Sequence, residues 1–213
     1  MGLLFGQHLS LRVLLAMILL TMARQTPNRN VPVCRIRQFE AFAAVGANTA
    51  RSHRPGFLRL MRSFLLDGVD LSSIPDTEEE FRVWLDLRTQ DAVRNVARKA
   101  RGKCWGVARK SINLYLRACV YNHYLRENYP CLCRIVQWLE VPLDSRVGKK
   151  LHDLYPSRSR PWTSIKGLTA KTSAQFQQCA KQYAETMGYP ARVFVDHEFY
   201  LPSYMDDSPP VRQ

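Results

Sequence analysis

Apolar residues recur every three or four positions along most of the chain, with polar residues filling the positions between. In residues 57–65 the set Phe57, Leu60, Met61, Phe64 and Leu65 draws one apolar stripe, the spacing of a half-buried helix. That helix should stop near Gly68, and Pro55 suits its first position. Residues 34–50 carry a similar pattern. Thr77 and Glu80 fit a capping box, and three consecutive glutamates favour a helix N-terminus there, so a helix is predicted through Phe81, Trp84 and Val93 to about Ala100. A long helix is predicted from about Val107 to Glu127, and an amphipathic one over residues 169–187, ended by Gly188. Pro130, Pro142, Pro156 and Pro161 cut the intervening chain into short helices and loops. Residues 189–202, YPARVFVDHEFYLP, fit strand or helix, and Pro190 at a first helical position favours helix. The pattern predicts one all-α domain over residues 25–202.

The two ends read differently. VLLAMILLTMA, residues 13–23, is continuously apolar, but its 11 residues fall short of the roughly 20 needed to span a bilayer. Residues 1–24 are read as an apolar N-terminal helix or leader: a capping helix, a signal peptide behind Arg12, or sequence preceding a start at Met17 or Met22. Residues 203–213 are predicted to be a disordered tail. The six cysteines mostly lie in apolar helical patterns, and Cys131-Leu-Cys133 has the wrong separation for a CxxC pair. A reduced, cytoplasmic, monomeric protein is expected, with no membrane span, metal or cofactor.

Charge changes the picture. The net charge is +13, and residues 94–166 hold 16 basic against 4 acidic residues, a net of +12. An excess confined to the middle third suits a surface that follows a polyanion, or else a solvated basic face.

Two residues in that third carry candidate chemistry. Lys110 shares a helix face with Val107 and Leu114, near a predicted helix N-terminus and beside Arg109. Such surroundings disfavour the charged ammonium, which a nucleophilic lysine requires. Equally, Lys110 fits a side chain whose stem covers the core while its head reaches water. Asp144 follows Val141-Pro142-Leu143 and precedes SRVGKKL, where an N-cap belongs. A carboxylate there stays ionised and could stabilise developing positive charge, although a cap alone also explains it.

The ordered pair resembles the helix-hairpin-helix DNA glycosylases. Gly106-Val107-Ala108-Arg109-Lys110 is similar to that family's GVGRK-type hairpin, with Ala108 for the second glycine, and Pro142-Leu143-Asp144-Ser145-Arg146 is similar to its Asp-bearing segment. The 34-residue separation of Lys110 and Asp144, the degenerate hairpin, and a weak likeness in VFVDHEFYL place the resemblance nearest the archaeal 8-oxoguanine glycosylase branch. It spans roughly Trp84 to Tyr200. What it implies is an all-α glycosylase fold with no cofactor, whose partner is duplex DNA with a flipped base. Lys110 would attack C1′ and Asp144 would stabilise the cationic sugar, with a possible lyase step through a Schiff base. The base would be a damaged purine, or a hypermodified phage base if the chain is an anti-phage member of the branch.

Arg101, Lys103 and Arg109 are then expected to supply the phosphate contacts that the degenerate hairpin lacks. Arg146, Lys149 and Lys150 would flank the flipped nucleotide, with Arg158 and Arg160 in the basic loop RSRPWTSIKG along the backbone. Trp105 and Trp162 are candidate base or sugar contacts, and Gln38 a candidate reader of a base edge. Trp84, Phe199 and Tyr200 offer further aromatic surface, with core packing the competing role. Two rival readings remain: a non-catalytic helical DNA-binding or architectural protein, and an exported helical protein with paired cysteines.

Overall fold

The computed structural model describes residues 33–46 and 53–200. The predicted apolar leader over 1–24 and the tail over 203–213 lie outside them. Among the described residues all regular structure is helical. The α-helices are α1 (Val33–Ala44), α2 (Phe57–Asp67), α3 (Glu78–Val96), α4 (Trp105–Tyr121), α5 (His123–Asn128), α6 (Cys131–Ile135), α7 (Ser145–Leu154), α8 (Ala170–Thr186) and α9 (Val195–Tyr200). No helix among the described residues is long and apolar enough to cross a membrane. All six cysteines are unpaired, with Cys34 and Cys133 exposed and the other four buried.

Local chemistry sets the boundaries. Thr77 accepts the Glu80 amide at 3.3 Å and donates to its carboxylate at 2.9 Å, closing the start of α3. Gly68 caps α2. Gly188, at φ 73, lets the Tyr189 amide turn back to the Ala184 carbonyl at 2.8 Å after α8. Several predicted boundaries move. The helix expected over 107–127 starts at Trp105 and breaks at Asn122, whose side chain accepts the Leu125 amide at 3.2 Å and so caps α5. The first described helix ends at Ala44, and residues 47–50 of the segment predicted with it lie outside the described residues. Pro55 belongs to a turn, because Gly56 behind it takes φ 89 and caps α2 instead. The 189–202 segment divides into a 3-10 turn, Arg192–Phe194, and α9.

Helix α4 is the axis of the larger core. Ile112, Tyr115 and Leu116 are fully buried there with Phe57, Met61 and Leu65 of α2 and Phe81 and Leu85 of α3. Each fully buried side chain of this kind contributes roughly 1.5–3 kcal/mol. Trp84 is part of this core and hydrogen-bonds Ser73 at 3.2 Å. A second core joins Val147 and Leu151 of α7, Phe176 and Ala180 of α8, and Val195 and Phe199 of α9. Lys110, on α4, and Asp144, ahead of α7, lie where the two cores meet.

Candidate active site

The segment leading to Asp144 is irregular, yet it is held residue by residue. Arg192 donates to the Trp138 carbonyl at 2.9 Å and the Leu139 carbonyl at 3.1 Å. Arg109 grips Glu140 with two parallel bonds of 2.8 Å, and Asn113 adds a third donor at 2.9 Å. Gln177 of α8 accepts the Val141 amide at 3.0 Å and donates to the Val141 carbonyl at 2.8 Å, as a paired strand would. Pro142 and Leu143 are then buried, and the chain delivers Asp144 to the start of α7.

There the carboxylate is fully engaged. Its Oδ1 accepts the Arg146 amide at 3.0 Å and the Val147 amide at 3.1 Å, the expected N-cap. Its Oδ2 accepts the Lys110 ammonium at 3.1 Å and the Tyr200 hydroxyl. Burial opposes ionisation of Asp144, but Lys110, Tyr200 and the Val147 amide outweigh it and hold its pKa below the usual carboxylate range. Tyr200 moves the other way: burial and its bond to Asp144 push the phenol upward.

Two clefts border this pair. The larger, about 600 Å³, is lined by Ala43, Ala44, Ser145, Trp162, Thr163 and Ile165 beside Lys110 and Asp144. The smaller, about 310 Å³, is lined by Arg117, Pro142, Asp196, His197 and Tyr200 beside the same two residues. Arg117 pairs with Asp196 across it. Burial nonetheless raises the Asp196 pKa, and the nearby Asp144 charge adds to the rise. Both volumes fall in the range of small-ligand sites.

Glycines shape the larger cleft. A Cβ on Gly148 would lie 2.1 Å from Cε3 of Trp162, so the indole rests directly on the α7 backbone, edge-on to Phe176 at 5.5 Å. A Cβ on Gly106 would meet the Ile165 carbonyl oxygen at 2.1 Å. The first glycine of the hairpin-like motif is thus occupied by packing against the 3-10 turn Ile165–Gly167.

The predicted site residues separate accordingly. Lys110 and Asp144 meet, and Trp162 lines their cleft. Arg101, Lys103, Arg146, Lys149, Lys150, Arg158 and Arg160 are exposed, as phosphate contacts must be, and Arg158 also bonds Gln182. Arg109 corrects the sequence reading. It is buried and held by Glu140, Asp86 and Thr89, so its guanidinium cannot reach a phosphate. Gln38 is also corrected. It faces solvent on α1, accepts from Arg35 at 3.3 Å, and does not line either cleft. Trp105 begins α4 rather than sitting in a loop, packs on the second core with its ring 5.6 Å from Arg109, and lines neither cleft.

Sequence reasoning missed Glu140, Gln177, Arg117 and Asp196, and it took Tyr200 for aromatic surface alone. Asp196 and Tyr200 stand four residues apart in VDHEFY, one helical face, and that spacing could have paired them. Nothing local marks Gln177, whose partner is backbone 36 residues away. No known protein family, curated protein or solved structure matches this chain.

Proposed function

We propose that the protein is a DNA glycosylase that takes a flipped nucleotide into the clefts beside Lys110 and Asp144. The observation that carries this reading is the meeting of Lys110 Nζ and Asp144 Oδ2 at 3.1 Å, from segments 34 residues apart, at the mouth of two clefts. Exposed Arg101, Lys103, Arg146, Lys149, Lys150, Arg158 and Arg160 support a polyanion partner. The fold type that fits is the helix-hairpin-helix glycosylase type, acting as a monomer in the cytoplasm.

In the chemistry, Lys110 first gives its proton to a base, and Asp144 Oδ2 is in direct contact with it. The freed amine attacks C1′ as the C1′–N bond breaks, the bond electrons leave with the base, and the proton that Asp144 took from Lys110 passes to that base, which returns Asp144 to its carboxylate form. Asp144 stabilises the positive charge that develops on the sugar. Opening of the aminal gives a Schiff base, and hydrolysis returns Lys110 and leaves an abasic site. The substrate is a damaged purine or a hypermodified phage base.

The test is base release from a panel holding 8-oxoguanine, uracil and alkylated duplexes beside phage DNAs with hydroxymethylated and glucosylated cytosines. Wild type should release one base and be trapped on DNA by borohydride. Lys110→Gln should lose the adduct and at least about 10³-fold in rate, and Asp144→Asn about 10²-fold or more. Salt-sensitive binding with no release from any DNA would instead identify a non-catalytic DNA-binding protein, for which Asp144 is a cap and Lys110 its ion-pair partner.

A further inference from the structure

Three of the four bonds to the Asp144 carboxylate have ordinary reasons. Two cap α7 and one is the ion pair with Lys110. The fourth, from the Tyr200 hydroxyl, joins α9 to the same oxygen that Lys110 uses. The Tyr200 ring is steadied from its face by the Arg146 guanidinium, 4.4 Å from the ring centroid.

The charges around Asp144 are few. Helix α4 contributes Lys110 and Arg117, α7 contributes Arg146, and α9 contributes Asp196, with His197 lining the same recess. Arg117 is taken by Asp196. A carboxylate oxygen offers about two lone-pair directions, so Oδ2 is full while Lys110 and Tyr200 both donate to it.

We propose that Tyr200 is a positioning residue that holds Asp144 Oδ2 alongside Lys110, and that a ligand whose acceptor oxygen engages the phenol from the smaller cleft leaves that oxygen to Lys110 alone. The second half rests on the reading of Lys110 as a nucleophile; the first does not. With the phenol donating, Asp144 is a weak base. When the phenol turns to a substrate oxygen, Oδ2 loses one of its two donors and becomes the more basic oxygen beside Nζ. The pair is then primed only when the smaller cleft is filled.

The decisive experiment is a pH titration of the aspartate carboxyl carbons by NMR on the full chain, with Asp144→Asn used only to assign the signal. Wild-type Asp144 should titrate below the usual carboxylate range. Tyr200→Phe keeps the ring and removes the donor, and should raise the midpoint by about one pH unit. Arg146→Lys keeps the charge but loses the flat stacking partner, and should move it a smaller distance the same way. An unchanged midpoint in Tyr200→Phe with wild-type melting overturns the proposal. Should that variant melt early, an unchanged midpoint in Arg146→Lys does so. Where a base is released, the acid limb of the pH–rate profile should move with the carboxyl midpoint, which a purely structural tyrosine would not cause. Failure of base release from every DNA removes the glycosylase reading alone and leaves the titration to decide the role of Tyr200.

Discussion

Arg109 and Lys110 are neighbours on α4, and both reach the 138–144 segment, yet their surroundings differ in kind. Arg109 and its partner Glu140 have side chains only 7% and 11% exposed, and planar bonds satisfy both groups. For Glu140, burial is the largest influence and opposes ionisation, but Arg109, Arg192 and Asn113 overcome it and keep the pKa below normal. Lys110 and Asp144 are 28% and 18% exposed, border open clefts, and share an oxygen with a third residue. One pair anchors the segment by burial inside a hydrogen-bonded cluster with Asp86, Thr89 and Asn113. Its neighbour leaves room for a reactant. Adjacent cations bridging the same two segments can therefore divide structure from chemistry, and burial with hydrogen-bond saturation tells them apart.

Breaking the buried pair should give the largest change in stability. Arg109→Met leaves Glu140 buried without its main partner and should cost about 3 kcal/mol, lowering Tm by roughly 6–12 °C. Lys110→Gln should stay within about 1 kcal/mol of wild type. Calorimetry of the two variants compares the pairs directly, and equal losses would erase the distinction.

Acid provides a second way to separate them. Glu140 and Asp144 both titrate below their ordinary values, so the unfolded chain takes up protons first as pH falls. Their stabilisation is complete above about pH 5 and is lost as pH falls below about 4, through the folded-state values. Denaturant unfolding between pH 6 and 3 should show this loss, and Glu140→Gln should flatten the slope while beginning from lower stability. A wild-type stability that does not fall in this range contradicts the assigned pairing.

The cleft wall gives a smaller effect than the buried pair. Gly148→Ala pushes a methyl group against the Trp162 ring and should cost about 1–2 kcal/mol. It should also change Trp162 fluorescence and weaken binding to the larger cleft more than Arg109→Met does at a temperature where both are folded.

Much of the fold was legible because it is written locally. The Thr77 cap, the α2 stripe, the stop at Gly188 and the Asp144 cap each depend on a few consecutive residues. The break at Asn122 was hidden because the apolar pattern continues past it, and a polar side chain then outcompeted the pattern by capping a new helix. For the site, the ordered Lys110 and Asp144 were visible as a pair. The burial of Arg109 was not, since an arginine that binds a phosphate and one that binds a buried glutamate have the same sequence signature until Glu140 is placed beside it. Tyr200 escaped for the same reason: its partner is 56 residues away.

The cap at Asp144 has an evolutionary consequence. Aspartate and asparagine codons differ by one nucleotide, and both residues cap helices well. A single mutation can therefore keep the start of α7 while removing the negative charge beside Lys110. The exposed basic residues are untouched by that change. Lineages of this chain stand one step from forms that keep the fold and the basic surface but lack the ion pair, and under the proposed function such forms would hold DNA without acting on it.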